Sequence, residues 1–97
     1  MPAVHRERDT RECGAITISS ATRTYIENEL VALEGDEDNH SGQLSPKQKG
    51  EIISTGFTRV YVEGKKIAVV GDDAKADLLH APPLTKPKTG ASKTFVG

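Results

Sequence analysis

Two stretches of the chain align without a gap. Thr22 to Asp36 reads TRTYIENELVALEGD, and Thr58 to Asp72 reads TRVYVEGKKIAVVGD. An internal repeat limits the fold before any single residue does. In the second copy Val60, Val62, Ile67 and Val69 alternate at period two, and β-branched residues dominate both arms. That pattern predicts paired strands. Glu63-Gly64 sits between the arms, and Glu27-Asn28 holds the same place in the first copy. Gly and Asn are the residues that most readily supply the positive φ of a tight hairpin turn. Gly35-Asp36 and Gly71-Asp72 close the second arms.

A third copy is split between the chain ends. Ser92-Lys93-Thr94-Phe95-Val96-Gly97 matches the first arm, with Phe95 on Tyr25 and Tyr61. Ala3 to Asp9 matches the second arm and ends at Asp9 where the others end at Asp36 and Asp72. The register predicts a third hairpin formed by the two termini, which then lie side by side. Two frayed tails are the plainer alternative, and Phe95 in repeat register argues against it. The expected fold is all-β, one domain over 1–97, with repeats spanning approximately 10–36, 37–72, and 73–97 completed by 1–9.

Between the hairpins, Ala15 to Ser20 and Glu51 to Thr55 read as strands. The last loop runs from Asp73 to Lys88. Its 73–80 part has the composition for one or two helical turns, and Pro82, Pro83 and Pro87 stiffen the rest. No conventional long helix is expected.

Such a chain has little to bury. Only 35% of the residues are hydrophobic and Trp is absent. Small domains with thin cores need a staple: a disulfide, a metal or a partner. One cysteine makes no internal disulfide, which leaves metal or partner. A net charge of -1 gives no footprint for nucleic acid. No apolar run has the length of a signal peptide or membrane span, so folding in a cytoplasm is expected.

The repeats also place metal-ligand types. Cys13 follows Asp9, His40 follows Asp36, and His80 follows Asp72, each in the loop after its arm. If a pseudo-threefold axis relates the repeats, those loops converge. Thiolate and imidazoles suit one structural zinc, with iron less favoured. Taken singly, each His reads as a solvated loop residue and Cys13 as a small buried hydrophobe. The shared position favours Cys13, His40 and His80 as ligands. His5 is the weaker fourth candidate. It falls on Ala32 and Ala68, whose neighbours are apolar, so alternation turns His5 outward. Yet three histidines and one cysteine would complete a zinc set. The acidic cluster at 36–38 lacks calcium-loop spacing, and no Gly-rich phosphate loop or nucleophile elbow is present.

Strand–turn–strand–Gly-Asp segments, each followed by a His or Cys loop, resemble the PAAR-repeat family. The carriers are Thr22 to Asp36, Thr58 to Asp72 and Ser92 to Gly97. The family's Arg before Gly-Asp is replaced by Leu33 and Val69, and the N-terminal copy has Arg6 with Arg8-Asp9. The resemblance implies a small cone of three pseudo-threefold β-hairpins with a metal at its vertex. It implies a non-enzymatic tip that caps the trimeric β-helical spike of a contractile injection machine, one tip per trimer. A stand-alone chain is most similar to the tips of T-even-type phage baseplates. The expected location is then the virion, after assembly in the host cytoplasm, with transient contact to the target outer membrane and no homo-oligomer.

A monomer needs threefold likeness only where it meets something threefold. The hairpins match better than the metal loops, so Asn28, Gly64 and Gly97 are the expected spike-docking positions. Two other classes stand beside this one. An adaptor tethering effector cargo to a type VI-like secretion spike would use the 73–88 loop. A small metallohydrolase would need an open metal position and a base, for which Glu12 is the candidate.

Overall fold

A computed structural model describes residues 1–97, which form short paired strands and no helix. The strands are β1 (Ile16–Ile18), β2 (Tyr25–Ile26), β3 (Glu29–Leu30), β4 (Glu37–Asn39), β5 (Ile52–Ile53), β6 (Tyr61–Val62), β7 (Lys65–Lys66) and β8 (Asp73–Ala74). All pairs are antiparallel: β1 with β4, β2 with β3, β5 with β8, and β6 with β7.

The two expected hairpins are β2–β3 and β6–β7. Their turns have positive φ at both central residues, 51° and 73° at Glu27 and Asn28, 52° and 86° at Glu63 and Gly64. Such turns match the right-handed twist of the flanking strands. The chain ends pair as well. Ala3 bridges Phe95, and the Val96 amide donates to Pro2 O at 3.0 Å.

Beyond each turn the second arms leave their own hairpins and pair with one another. The His5 amide donates to Ala68 O (2.9 Å), Ala68 to Ala32 O (2.9 Å), and Ala32 back to His5 O (3.0 Å). This is a closed ring of three backbone hydrogen bonds. A second set repeats it: Glu7 to Leu30 O (2.8 Å), Glu34 to Lys66 O (2.9 Å), and Val70 to Ala3 O (2.9 Å). Closing the ring leaves these arms no free edge of the kind that invites aggregation.

The three closing aspartates also act alike. Asp9, Asp36 and Asp72 each accept, through Oδ2, the amide three residues back: Arg6 (2.9 Å), Leu33 (2.7 Å) and Val69 (2.9 Å). The residue before each has positive φ: Arg8 72°, Gly35 91° and Gly71 101°. Arg8 takes a glycine's conformation, which costs about 1 kcal/mol. Its neighbour Arg6 binds both Asp9 oxygens, at 3.0 and 3.2 Å.

One core lies where the arms meet: Val4, Val31, Leu33, Ile67 and Val69, with Ala21 and Ala91. Ala32, Ile52 and Ala68 form a second, smaller cluster. Both faces of the arms are therefore covered, and this corrects the outward placement of His5. Period-two alternation predicts exposure only when one face meets water. Here His5 is fully buried, like Ala32 and Ala68.

The last loop also departs from expectation. The 73–80 segment forms no helical turn. Asp73 and Ala74 pair with Ile53 and Ile52, and Asp77 folds the chain back on itself. Asp77 Oδ1 accepts the amides of Leu79 (2.8 Å) and His80 (2.6 Å). An Asp that bonds its own following amides competes with helix formation.

A candidate metal centre

Three separate loops deliver the candidate ligands. Cys13 lies in a tight turn in which Gly14 N donates to Arg11 O (2.9 Å) and Arg11 N to Ala15 O (2.8 Å). The proline-rich segment holds that turn through Glu12 N to Lys86 O (2.9 Å) and Cys13 N to Leu84 O (2.7 Å). His40 directly follows β4. His80 follows the Asp77 turn, and Asp77 bridges Lys49.

Sγ of Cys13, a ring nitrogen from each of His40 and His80, and a carboxylate oxygen of Asp77 all lie within 4.8 Å of one another. His40 Nε2 is 3.6 Å from Cys13 Sγ, 3.0 Å from His80 Nδ1 and 3.2 Å from Asp77 Oδ2. Ligand bonds of about 2.0–2.3 Å around a tetrahedral zinc put neighbouring donor atoms about 3.2–3.8 Å apart. Two of the measured edges, 3.6 and 3.2 Å, fall in that range, and the His40–His80 edge at 3.0 Å lies just below it.

His40 is oriented for this task. Its Nδ1–H donates to Gln48 Oε1 at 2.9 Å, and its backbone amide donates to the same oxygen at 2.7 Å. The Nε2 lone pair is thereby turned towards the cluster, as a ligating imidazole requires. Asp77 Oδ2 is buried, lies 3.2 Å from His40 Nε2 and has the Asp38 carboxyl as its one neighbouring donor. A carboxylate oxygen so placed at the cluster can also serve as a metal ligand. Residues and spacing thus fit one metal ion held by Cys13, His40, Asp77 and His80.

The electrostatics agree in part. Burial works to raise Asp77, but bonding from Asp38 and the Leu79 and His80 amides outweighs it and keeps Asp77 below its ordinary value. Burial raises the Cys13 thiol, so a bound cation would have to displace its proton. Behind the cluster, burial and then the Asp77 carboxyl push Asp38 up to about 8, against the pull of Arg11.

The structure brings Cys13, His40 and His80 together and sets His5 apart. His5 Nδ1 donates to Thr89 O at 2.7 Å, and His5 Nε2 accepts from Thr17 Oγ1 at 2.6 Å. Thr17 Oγ1 in turn accepts Arg11 Nε at 2.7 Å. With both ring nitrogens engaged, His5 has no lone pair for a metal, and Asp77 takes the fourth place. Sequence reasoning passed over Asp77. Its one signal is the Asp77-to-His80 spacing, the reach over which an Asp side chain caps a following amide.

Of the expected docking positions, Asn28, Gly64 and Gly97 are exposed. Glu12 is also exposed, beside a shallow depression lined by Val70, Pro83, Leu84 and Lys86. No family model, curated protein or solved structure matches the chain.

Proposed function

We propose that the chain is a metal-stabilised tip that caps a threefold spike, in the manner of PAAR-repeat proteins. One observation carries the reading. Tyr25, Tyr61 and Phe95 occupy equivalent places in the three hairpins and are 62%, 62% and 46% exposed. Exposed aromatics repeated around one axis suit a partner with true threefold symmetry, and aromatics anchor interfaces.

The rest of the proposal follows from the course of the chain. The arms run from the turns towards the loops that bear the ligands, which supports a small cone with the turns at its wide end and the metal at its vertex. A closed four-ligand site supports a structural ion, because catalysis needs an open coordination position. The ion would tie three loops together at the vertex, where a piercing tip bears load. The partner is a trimeric β-helical spike of a phage-type contractile machine, met at Asn28, Gly64 and Gly97 and at the three aromatics.

A second reading, the cargo adaptor of a secretion spike, rests on Leu78, Leu79 and Leu84. They are 60%, 63% and 48% exposed in the last loop. An apolar group of that kind marks a contact surface.

The test is reconstitution with a trimeric β-helical spike domain, read by native mass spectrometry. The expected complex holds one chain per trimer. Replacing Tyr25, Tyr61 and Phe95 by serine should abolish it while metal content is kept. Binding that survives this change, and is lost instead on altering Leu78, Leu79 and Leu84, would place the contact at the other end.

A further inference from the structure

Asp9, Asp36 and Asp72 close their arms alike, but the arms are not met alike. At the first two, a neighbouring strand pairs with the aspartate and the residue before it. Arg8 N donates to Thr17 O (2.9 Å) and Thr17 N to Asp9 O (3.0 Å). Gly35 N donates to Ile52 O (2.8 Å) and Ile52 N to Asp36 O (3.1 Å). A side chain adds a further link at each. Glu7 Oε2 accepts Ser19 N (3.0 Å), and Glu34 Oε2 accepts Ser54 N (3.1 Å).

The third arm has none of these links. Gly71 N donates to no group in the protein, and Asp72 O accepts from none. Val70 stands where Glu7 and Glu34 stand and has no acceptor to offer. The arm itself keeps the shared geometry. Gly71 has a φ of 101° beside 91° at Gly35, and Asp72 caps Val69 N as Asp36 caps Leu33 N. The neighbour is what differs. The segment in register with 15–20 is 85–90, where Pro87 falls on Thr17 and has no N–H to give. The Cys13 turn holds this segment instead, through Glu12 N to Lys86 O and Cys13 N to Leu84 O. A groove of about 400 Å³ is left between arm and segment, lined by Val70, Gly71, Pro83, Leu84 and Pro87.

Asp72 is fully buried and Gly71 only half-buried, so the Gly71 amide is the group within reach. An unpaired amide beside apolar surface is an incomplete strand edge. Leu84 is 48% exposed, and Phe57, 51% exposed, lies over Gly71 with Cε2 3.4 Å from where a Cβ would stand. Lys86 pairs with Asp73 at 3.5 Å, whereas the exposed Glu12 on the rim makes no ion pair.

We infer that this groove docks an extended segment of a partner protein. The segment's backbone carbonyl takes the Gly71 amide, its apolar side chain rests on Val70, Pro83 and Leu84, and a lysine or arginine beside it meets Glu12. The chain's own strands show what fits. Ile16–Ile18 and Ile52–Ile53 meet the equivalent arms with extended backbone and β-branched side chains. Strand addition of this kind takes affinity from main-chain hydrogen bonds and specificity from side chains. The inference does not depend on the spike reading, since it rests on a difference among the arms and not on their likeness.

The test uses the full ¹⁵N-labelled chain. In the free protein the Gly71 amide should exchange with solvent about tenfold faster, or more, than those of Arg8 and Gly35. The probe is a capped peptide reproducing residues 15–20 with a lysine added at each end. It should move the Gly71 resonance downfield and saturably and leave Arg8 and Gly35 in place. The same peptide with glutamates for the two lysines should bind about threefold more weakly, and Glu12→Lys should reverse that order. Leu84→Ser should weaken both peptides about tenfold. Should a variant not fold, the wild-type titrations decide alone. A Gly71 amide that exchanges as slowly as that of Gly35, or that the lysine peptide leaves unmoved, would overturn the docking site. Equal binding of the two peptides would overturn the basic residue in the partner.

Discussion

His5 Nε2 lies 2.6 Å from Thr17 Oγ1, and that hydroxyl also accepts Arg11 Nε at 2.7 Å. The direction of the chain is fixed. Arg11 can only donate, so Thr17 donates onward, and His5 must be the neutral tautomer that gives Nδ1–H to Thr89 O. Arg11 donates further to Gly50 O and Thr85 O, at 2.8 and 2.9 Å. A fully buried histidine, threonine and arginine thus join the arms to the last two loops.

His5→Ala should therefore destabilise the protein without emptying the metal site. The loss leaves a void and unpaired buried donors, about 3 kcal/mol in sum. In a chain of this size that is a fall of roughly 10–20 °C in melting temperature. Metal analysis of the same sample should read as wild type. A parallel loss of metal would return His5 to the ligand set.

The same residue sets a pH window. Burial lowers His5 from 6.5 to about 4. The unfolded chain then binds the proton first, so stability falls as pH drops from 6.5 towards 4 and levels off below. The effect is on the order of 3 kcal/mol. Chemical denaturation across that window should show the slope in wild type, and His5→Ala should lack it.

Glu27 accepts the Ser92 and Lys93 amides, Glu63 accepts those of Thr22 and Arg23, and these two carboxylates titrate lower. Glu27 and Glu63 stand at about 2 against an ordinary 4.5. Their contribution is complete above 4.5 and is lost as pH falls through 2. Glu27→Gln and Glu63→Gln should each flatten the stability curve between those values. Exchange of the Ser92 and Lys93 amides should accelerate in Glu27→Gln only, and that of Thr22 and Arg23 in Glu63→Gln only.

The chain ends pair through Ala3 with Phe95 and Val96 with Pro2, and a Cβ on Gly97 would lie 3.2 Å from Met1 Cγ. Joining residues 97 and 1 through a short Gly-containing turn, and opening the chain between Asn28 and Glu29, should give a folded permutant. Circular dichroism and cooperative melting would check it. An insoluble or non-cooperative product would count against the pairing of the ends.

The repeats, the two turns and the convergence of Cys13, His40 and His80 were legible because each shows in the alignment of one copy on another. Asp77 was not, because 14 acidic residues offer no contrast by type. Its burial depends on the bridge to Lys49, a contact outside the repeat. His5 was misplaced because alternation assumes a wet face, and the ring of arms has none. The helical turn expected at 73–80 lost to the Asp77 cap and to pairing with β5. The reach of Glu27 and Glu63 into other repeats was not legible, because their acceptor contacts lie outside their own hairpins and their positive φ shows only in the structure.

Metal content tests the central claim most directly. The protein, purified without chelator and measured by elemental analysis, should carry about one zinc or iron per chain. Cys13→Ser, His40→Ala, His80→Ala and Asp77→Asn should each lower that ratio and cut the melting temperature by roughly 10 °C or more. Metal-free protein that melts at the same temperature as the purified form would contradict the account.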